Sequence, residues 1–397
     1  MTKILLIVPY ATGTIGRCSH NLYRALAQRQ DIDIRVFLLY RSSSDTFDFG
    51  EAYYLSGIKN NFFGRIFKIF RSVFFLRKTK KEWKPDVSIG ALNVCSAYNL
   101  LSGGHEKKIG IFHGEFSWES MTQKSVPAFL WGRFCYRFLF PRLDWRVAVS
   151  QRVLGLTEGY VGSSHGKSCV IYNAHDVDSI LTASNESLSE EHERLFASDV
   201  ILFVGGLTEN KGVCRLVKAY SEVCKSTDCS NLVFLGKDWG EKTEALDLVK
   251  QLGISNRVHF IDQVDNPYPY MKRAKILVSS SYSEGLPGVL CEATILNIPI
   301  VTTNSSTGGW EILECFNHYD ANLEGMFISK KGTITQNRCA QGEGSQSLVL
   351  TEDEQVLASA ILNYLKDADF YKKACFEKSS FVEKVRFEEI AKQILSL

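Results

Sequence analysis

The chain holds 397 residues, 45% hydrophobic and 23% charged, with a formal net charge of +2. This is ordinary globular composition, long enough for two domains and without the roughly 18 uninterrupted apolar residues of a membrane span. The small net charge conceals an asymmetry: residues 1–175 carry 24 Lys+Arg against 12 Asp+Glu, and the remainder 22 against 32. A basic first part and an acidic second imply two domains in different surroundings, the first drawn to something anionic. The 11 cysteines form no CxxC pair and no zinc-like Cys/His block, which fits reduced thiols better than a disulfide framework.

The opening run Lys3–Val8 is apolar, too short for a signal peptide and stopped by Pro9, so it reads as a buried first strand. The loop that follows, from Tyr10 through Gly13 to Arg17, resembles a phosphate-cradling strand–loop–helix but fits neither GxGxxG nor the P-loop. Arg17–Arg29 has Leu22, Ala25 and Leu26 on one helical face. Ile34–Leu39, Asp86–Ile89, Lys108–Phe112 and Arg146–Val149 are apolar enough for a parallel sheet covered on both sides.

Two segments of this first part combine aromatic and basic residues. In 61–81, Phe63, Phe67, Phe70 and Phe74 recur at helical spacing beside Arg65, Lys68, Arg71, Arg77, Lys78, Lys80 and Lys81. Such a helix suits the surface of an anionic leaflet, and Phe129–Arg142 extends it. The competing reading places the phenylalanines in the core. Nucleic acid is the other anionic partner, and no motif for it is present.

His113 closes the strand Lys108–Phe112 and is followed by Gly114, which points it into a crevice; a structural histidine is the plainer reading. Asn173–Ser198 is polar enough for a hinge and a surface helix. The strand pattern then restarts at Val200–Val204, Asn231–Leu235, Val258–Ile261, Ile276–Ser279 and Pro299–Thr302. Strands alternating with helices in two sets predict two doubly wound α/β units. Residues 321–350 read as an irregular insertion without a role, and Phe381–Leu397 as a helix with Phe387, Ile390, Ala391 and Ile394 on one face.

Two turns in the second set carry chemistry. Gly205-Gly206-Leu207 leads from a strand to Lys211-Gly212, placing an ammonium before a helix where a diphosphate would be neutralised. Glu284-Gly285-Leu286-Pro287-Gly288 leads from a strand into a helix, offering free N–H groups and a helix N-terminus to a phosphate. Glu284 stands before this turn and Glu292 some two helical turns further on, so the two carboxylates can serve separate hydroxyl clusters. A lone surface lysine and two surface glutamates are the bland alternatives.

Together these segments resemble the family-four glycosyltransferases, a large retaining group with the GT-B fold. The resemblance spans nearly the whole chain and is most specific at Glu284-x7-Glu292; Val147–Ser150 and Ile171-Tyr172-Asn173 add to it. It implies two facing Rossmann-like domains with an inter-domain cleft: 1–175 on the acceptor side, 176–380 binding the nucleotide sugar, and 381–397 a helix returning to the first. It implies that Glu292 binds the donor ribose and that Glu284 contacts the donor sugar. Lys211 and the backbone of Gly285, Leu286 and Pro287 would hold the diphosphate, together with Gly16. His113 would lie near the 6-hydroxyl region of the sugar and stabilise positive charge at the anomeric carbon.

One departure stands out. The family usually has arginine where this chain has Gly206, and Arg17, Lys237 or Arg257 could replace it. The implied activity is transfer of a hexose or N-acetylhexosamine from a nucleotide-diphosphate sugar, UDP-linked in expectation, to a lipid-linked saccharide of a surface polysaccharide. No cofactor is expected. No metal is expected either, since Asp31-Ile32-Asp33 precedes a strand and Asp176-Val177-Asp178 lies in the linker. The expected location is the cytoplasm, peripheral to the inner face of the plasma membrane. The rivals are a nucleotide-sugar epimerase of the same fold, which needs no lipid-facing surface, and a degenerate binding domain.

Overall fold

The computed structural model describes residues 1–40, 46–54, 62–114, 126–162, 166–227, 230–342, 347–366 and 379–397, with the backbone alone at 54 and 62–68. The chain divides into two compact units: Met1–Asp176 with Lys384–Leu397, and Val177–Glu383.

The first unit is built on a seven-stranded sheet, ordered β3-β2-β1-β4-β5-β6-β7. Its strands are β1 (Thr2–Val8), β2 (Ile32–Leu38), β3 (Ala52–Tyr54), β4 (Val87–Gly90), β5 (Lys107–Phe112), β6 (Trp145–Ala148) and β7 (Lys167–Val170). All their pairings are parallel, Ile4 lying opposite both Ile34 and Val87. Ile4 to Val8 are fully buried, as helices on both faces require. The order reverses between β1 and β4, the switch point where a doubly wound sheet opens its binding crevice.

The second unit repeats the plan with β8 (Asp199–Val204), β9 (Ser230–Leu235), β10 (Val258–Ile261), β11 (Ile276–Ser279), β12 (Ile300–Thr303), β13 (Met326–Ile328) and β14 (Gly332–Thr335). The order is β10-β9-β8-β11-β12-β14-β13, with the switch between β8 and β11. Residues 321–350 are therefore not a plain irregular insertion. Gly332–Thr335 pairs parallel to β12 and Met326–Ile328 closes the edge antiparallel. The run was too short and glycine-punctuated for a periodic signal, and Gly332 is needed because a Cβ would lie 2.5 Å from the Ile300 carbonyl oxygen.

The polar segment after Asn173 holds two short helices, Val177–Ala183 and Glu190–Phe196. His175, taken there as part of a hinge, is buried: its amide donates to the Val385 carbonyl at 2.7 Å and its Nδ1 lies 2.9 Å from the Asn173 carbonyl. Phe387–Ser396 packs on Gly13–Ala27 within the first unit, burying Phe387, Ile390, Ala391 and Ile394. The described cysteines are free thiols. Among the described residues no helix is long and apolar enough to cross a membrane.

Candidate active site

The switch point of the second unit brings the two chemical turns together. After β8 the chain passes Gly205 and Gly206, makes a short 3-10 turn over Glu209–Lys211 and enters the helix Val213–Ser226 through Gly212. Gly212 has φ +65°, and a Cβ there would lie 2.2 Å from the Ser280 carbonyl oxygen. Glycine is thus obligatory where the β8 loop touches the end of β11. Ser280 Oγ donates to the Lys211 and Gly212 carbonyls at 3.0 and 2.9 Å. These contacts aim Lys211 at Glu284, whose carboxylate it pairs with, while Ser281 Oγ donates to the same Oε1 at 2.8 Å. The pair is partly open to solvent, so an incoming phosphate can reach the ammonium.

Beyond Glu284 the turn is held from behind. The Glu284 amide donates to the Ser305 carbonyl at 3.2 Å, and Gly308 seats the turn so closely that a Cβ would lie 2.6 Å from the Gly285 oxygen. The helix Gly288–Ile295 begins immediately after Pro287, which caps it with φ −70°. Two sequence expectations need correction here. Pro287 has no N–H, so it shapes the helix start and leaves donation to Gly285, Leu286 and the first helical amides. Glu292 lies about one turn into that helix, not two, because the intervening turn is not helical. It is buried at 6% exposure, with the Tyr268 hydroxyl donating to its Oε1 at 3.4 Å.

A buried polar frame, invisible in the sequence pattern, fixes these loops. Arg215 lies in the helix that Lys211 precedes, with its guanidinium 3.8 Å from the ring centre of Tyr282. It donates to Asn337 at 2.6 Å and pairs with Asp353 at 3.4 Å, while Asn337 donates to the Tyr282 carbonyl at 2.8 Å. One turn on, Lys218 pairs with Glu354 at 2.7 Å, both fully enclosed. Arg215 and Lys218 lie on the side of the helix opposite Val213, Leu216 and Val217, where two cations read in sequence as an ordinary solvated face.

The remaining candidates belong to the first unit. Gly16 lies in the first turn of Gly13–Ala27, its amide already donating to the Thr12 carbonyl at 3.2 Å. Its missing side chain lets the helix sit against Tyr10 and Ala11, 3.0 Å from where a Cβ would be. His113 follows β5 and lines a pocket with Cys18, Ala91 and Asn173. Burial lowers its pKa to about 4 against the opposing pull of the Ala91 carbonyl, so the imidazole is neutral at physiological pH.

Of the three cations considered for the place of Gly206, Arg17 is exposed on the first unit and Arg257 donates to the Ser230 carbonyl at the amino end of β9, the wrong edge for a phosphate. Lys237 alone follows the carboxyl end of a strand beside β8. The two DxD strings do not converge, Asp31 pairing with Arg29 at 3.0 Å and Asp176 with Arg24 at 2.6 Å. Among the described residues one trio, Cys214, Glu241 and Glu244, brings metal-ligand atoms together. Both glutamates stand at the start of the helix Lys242–Gln251, where its dipole already accounts for carboxylates.

The chain is similar to known glycosyltransferases over most of its length. The Glycosyltransferase Family 4 pattern matches residues 15–179 and the Glycosyl transferases group 1 pattern residues 185–325, one after the other. The chain belongs to the family-four, group-1 glycosyltransferases. An uncharacterized glycosyltransferase of Methanocaldococcus jannaschii is 24% identical over 77% of this chain and 78% of its own length. An α-1,4-N-acetyl-D-galactosaminyltransferase of Campylobacter jejuni, acting on a diphospho-undecaprenol-linked saccharide, is 28% identical over 68% of this chain and 70% of its own. Anabaena HepE, solved with UDP and glucose, shares the fold at TM-score 0.71 and 16% identity, covering 100% of this chain and 99% of that one. The Lys211 and Glu284 turns both lie within the residues that the group 1 pattern matches.

Proposed function

We propose that this glycosyltransferase moves a hexose or N-acetylhexosamine, with retention, from a UDP-sugar to a lipid-linked saccharide in surface-polysaccharide synthesis. The observation that carries the reading is the meeting of Lys211 and Glu284 across the β8–β11 switch point, beside a helix N-terminus. Lys211 and the first amides of Gly288–Ile295 offset charge on the departing diphosphate. In the reaction the bond between the anomeric carbon and the β-phosphate oxygen breaks, and the electron pair leaves with the phosphate. The acceptor hydroxyl bonds to the same face of the anomeric carbon and passes its proton to the departing phosphate oxygen. Glu284 holds ring hydroxyls of the sugar, Glu292 the ribose, and His113 stays neutral toward the 6-hydroxyl region.

Cationic side chains and a helix dipole replace a metal in this scheme. The UDP-sugar assignment draws on the UDP and glucose bound by HepE, and the acceptor on the Campylobacter relative.

An anionic membrane is the proposed platform. Phe70 and Phe74 are 71% and 65% exposed, and Leu130 and Phe138 58% and 56%. Arg77, Lys78, Arg133 and Arg137 are exposed among them. The phenylalanines at 62, 63 and 67 and the cations at 65 and 68 lie outside the described side chains. Lys80 is no part of this surface: it is buried, paired with Glu106 at 2.7 Å, and burial holds its pKa down to about 8. An epimerase would have no use for such a face.

The deciding experiment incubates purified protein with a panel of nucleotide sugars and follows release of the nucleoside diphosphate, with and without excess EDTA. Slow hydrolysis of a UDP-sugar that persists in EDTA is expected. Turnover of the UDP-sugar into its epimer would overturn the transferase assignment, and loss of activity in EDTA would overturn the metal-free scheme.

A further inference from the structure

The β8 and β9 loops are zipped together. The Gly205 amide donates to the Leu235 carbonyl at 3.0 Å, Leu207 to Lys237 at 2.8 Å, and Trp239 to Leu207 at 3.1 Å. The approach is close enough that a Cβ on Gly236 would lie 2.0 Å from the Gly205 oxygen. Within this seam the place of a side chain at 206 is already taken. A Cβ built on Gly206 would meet Trp239 Cδ1 at 2.8 Å and Nε1 at 3.1 Å. The indole is otherwise 64% exposed, and the Lys237 ammonium sits 4.5 Å from its ring centre.

Resting on the reading above, we propose that Lys237, seated on Trp239, supplies the second cation for the donor diphosphate in place of an arginine at 206. Gly206 is glycine because Trp239 needs its space. The swap exchanges a cation on the β8 loop for one on the adjoining β9 loop, at the same carboxyl edge that presents Lys211. A long lysine stem is floppy, and stacking on an aromatic face restricts it and orients the ammonium. The charge then reaches the phosphates without the ordering cost of a free lysine.

The test is calorimetric titration of the full-length protein with UDP, or with GDP or ADP if either binds the parent more tightly, beside the matching nucleoside. Lys237→Ala should weaken the diphosphate by about tenfold or more, the scale of a charge-assisted hydrogen bond, and leave the nucleoside unchanged. Lys237→Arg should retain affinity. Adding Gly206→Arg and Trp239→Ala to Lys237→Ala should restore diphosphate binding by returning the cation to the β8 loop. If Lys237→Ala binds the diphosphate like the parent while Lys211→Ala does not, the proposal fails and the donor-site reading stands. An equal loss for diphosphate and nucleoside would also overturn it, placing the contact on the base. A parent that binds no nucleoside diphosphate would sink both.

Discussion

At the carboxyl edge of the second unit's sheet, ions are gathered and held: Lys211 on Glu284, Lys237 on Trp239, and Glu292 buried behind the turn. The same edge of the first unit, whose sheet shares the order of its first five strands, offers a neutral His113, the small residues around Gly16 and one exposed cation, Arg17. Further exposed cations, Arg77, Lys78, Arg133 and Arg137, stand on Phe62–Trp83 and 126–142 among exposed aromatics. Under the proposed function, one kind of sheet serves two kinds of partner. A loop edge that must grip a diphosphate needs fixed charge, and fixing charge needs a rigid frame behind it. A surface that meets a membrane needs exposed apolar area and mobile cations, and tolerates loose placement.

The sharpest way to break this contrast is to attack the frame. Lys218→Met leaves the Glu354 carboxylate enclosed without its cation and is expected to cost about 3–5 kcal/mol in urea unfolding. Adding Glu354→Gln, which keeps an acceptor for the Thr351 amide, should return most of that loss. A single variant costing under about 1 kcal/mol would show that the buried pairs do not hold the site.

Next in size is the ion proposed to meet the departing diphosphate. Lys211→Ala should remove roughly 2–4 kcal/mol of transition-state stabilisation, read as kcat/KM for donor hydrolysis. Glu284→Gln should lower kcat, since it pairs with Lys211 and is proposed to hold the reacting sugar, while Glu292→Gln should chiefly raise donor KM. Matching kcat losses for both glutamines, at unchanged KM, would dissolve the division of labour between them.

How much of this was legible follows from the length of each pattern. The strands on either side of both switch points are continuous apolar runs, and they stand within a few residues of where the sequence put them. The paired glutamates and Lys211 carry a turn signature that survives as sequence. The outermost elements did not show: β3, β7 and β13 are sheet edges and β14 lies beside one, and none carries the aliphatic run of the equally short β11. Nor did the frame, since Asn337, Asp353 and Glu354 look like surface polar residues until folding brings Arg215 and Lys218 against them. The same limitation misplaced Lys80, which alone among the described cations of its ladder turns inward to Glu106.

A smaller effect concerns the neutral side of the contrast. His175 is buried, and burial puts its pKa at about 4 against 6.5 in the unfolded chain. Between those values the unfolded state binds more protons, so stability rises with pH through the window and is lost as pH falls from about 6.5 toward 4. The stability lost between neutral pH and pH below that window is about 3 kcal/mol for this single group. Urea midpoints of His175→Asn should fall less steeply over that range than those of the parent. An unchanged slope would mean the imidazole charges freely in the folded chain.

The smallest expected effect falls on the exposed aromatic face, and its size is itself informative. Along 130–140 the buried positions Cys135, Tyr136, Leu139 and Phe140 form one stripe, and Leu130, Phe134 and Phe138 an opposite one in solvent. Trp131, Phe134 and Phe138 already associate, with ring centres 5.8 and 5.5 Å apart in succession. Replacing Leu130, Phe134 and Phe138 with serine removes little that the fold uses, so unfolding should change by under about 1 kcal/mol. Binding to vesicles containing anionic lipid should nevertheless drop roughly tenfold, because each side chain would have buried apolar area in the interface. Arg133→Gln with Arg137→Gln should weaken the same binding by about 1 kcal/mol per cation, and only at low salt, where screening is weak. Donor hydrolysis should survive both changes, since the ionic edge lies on the second unit. A serine variant that binds vesicles as the parent does would remove the membrane from the account. One that keeps its binding loss but also loses donor hydrolysis would show that the two units do not divide their partners in this way.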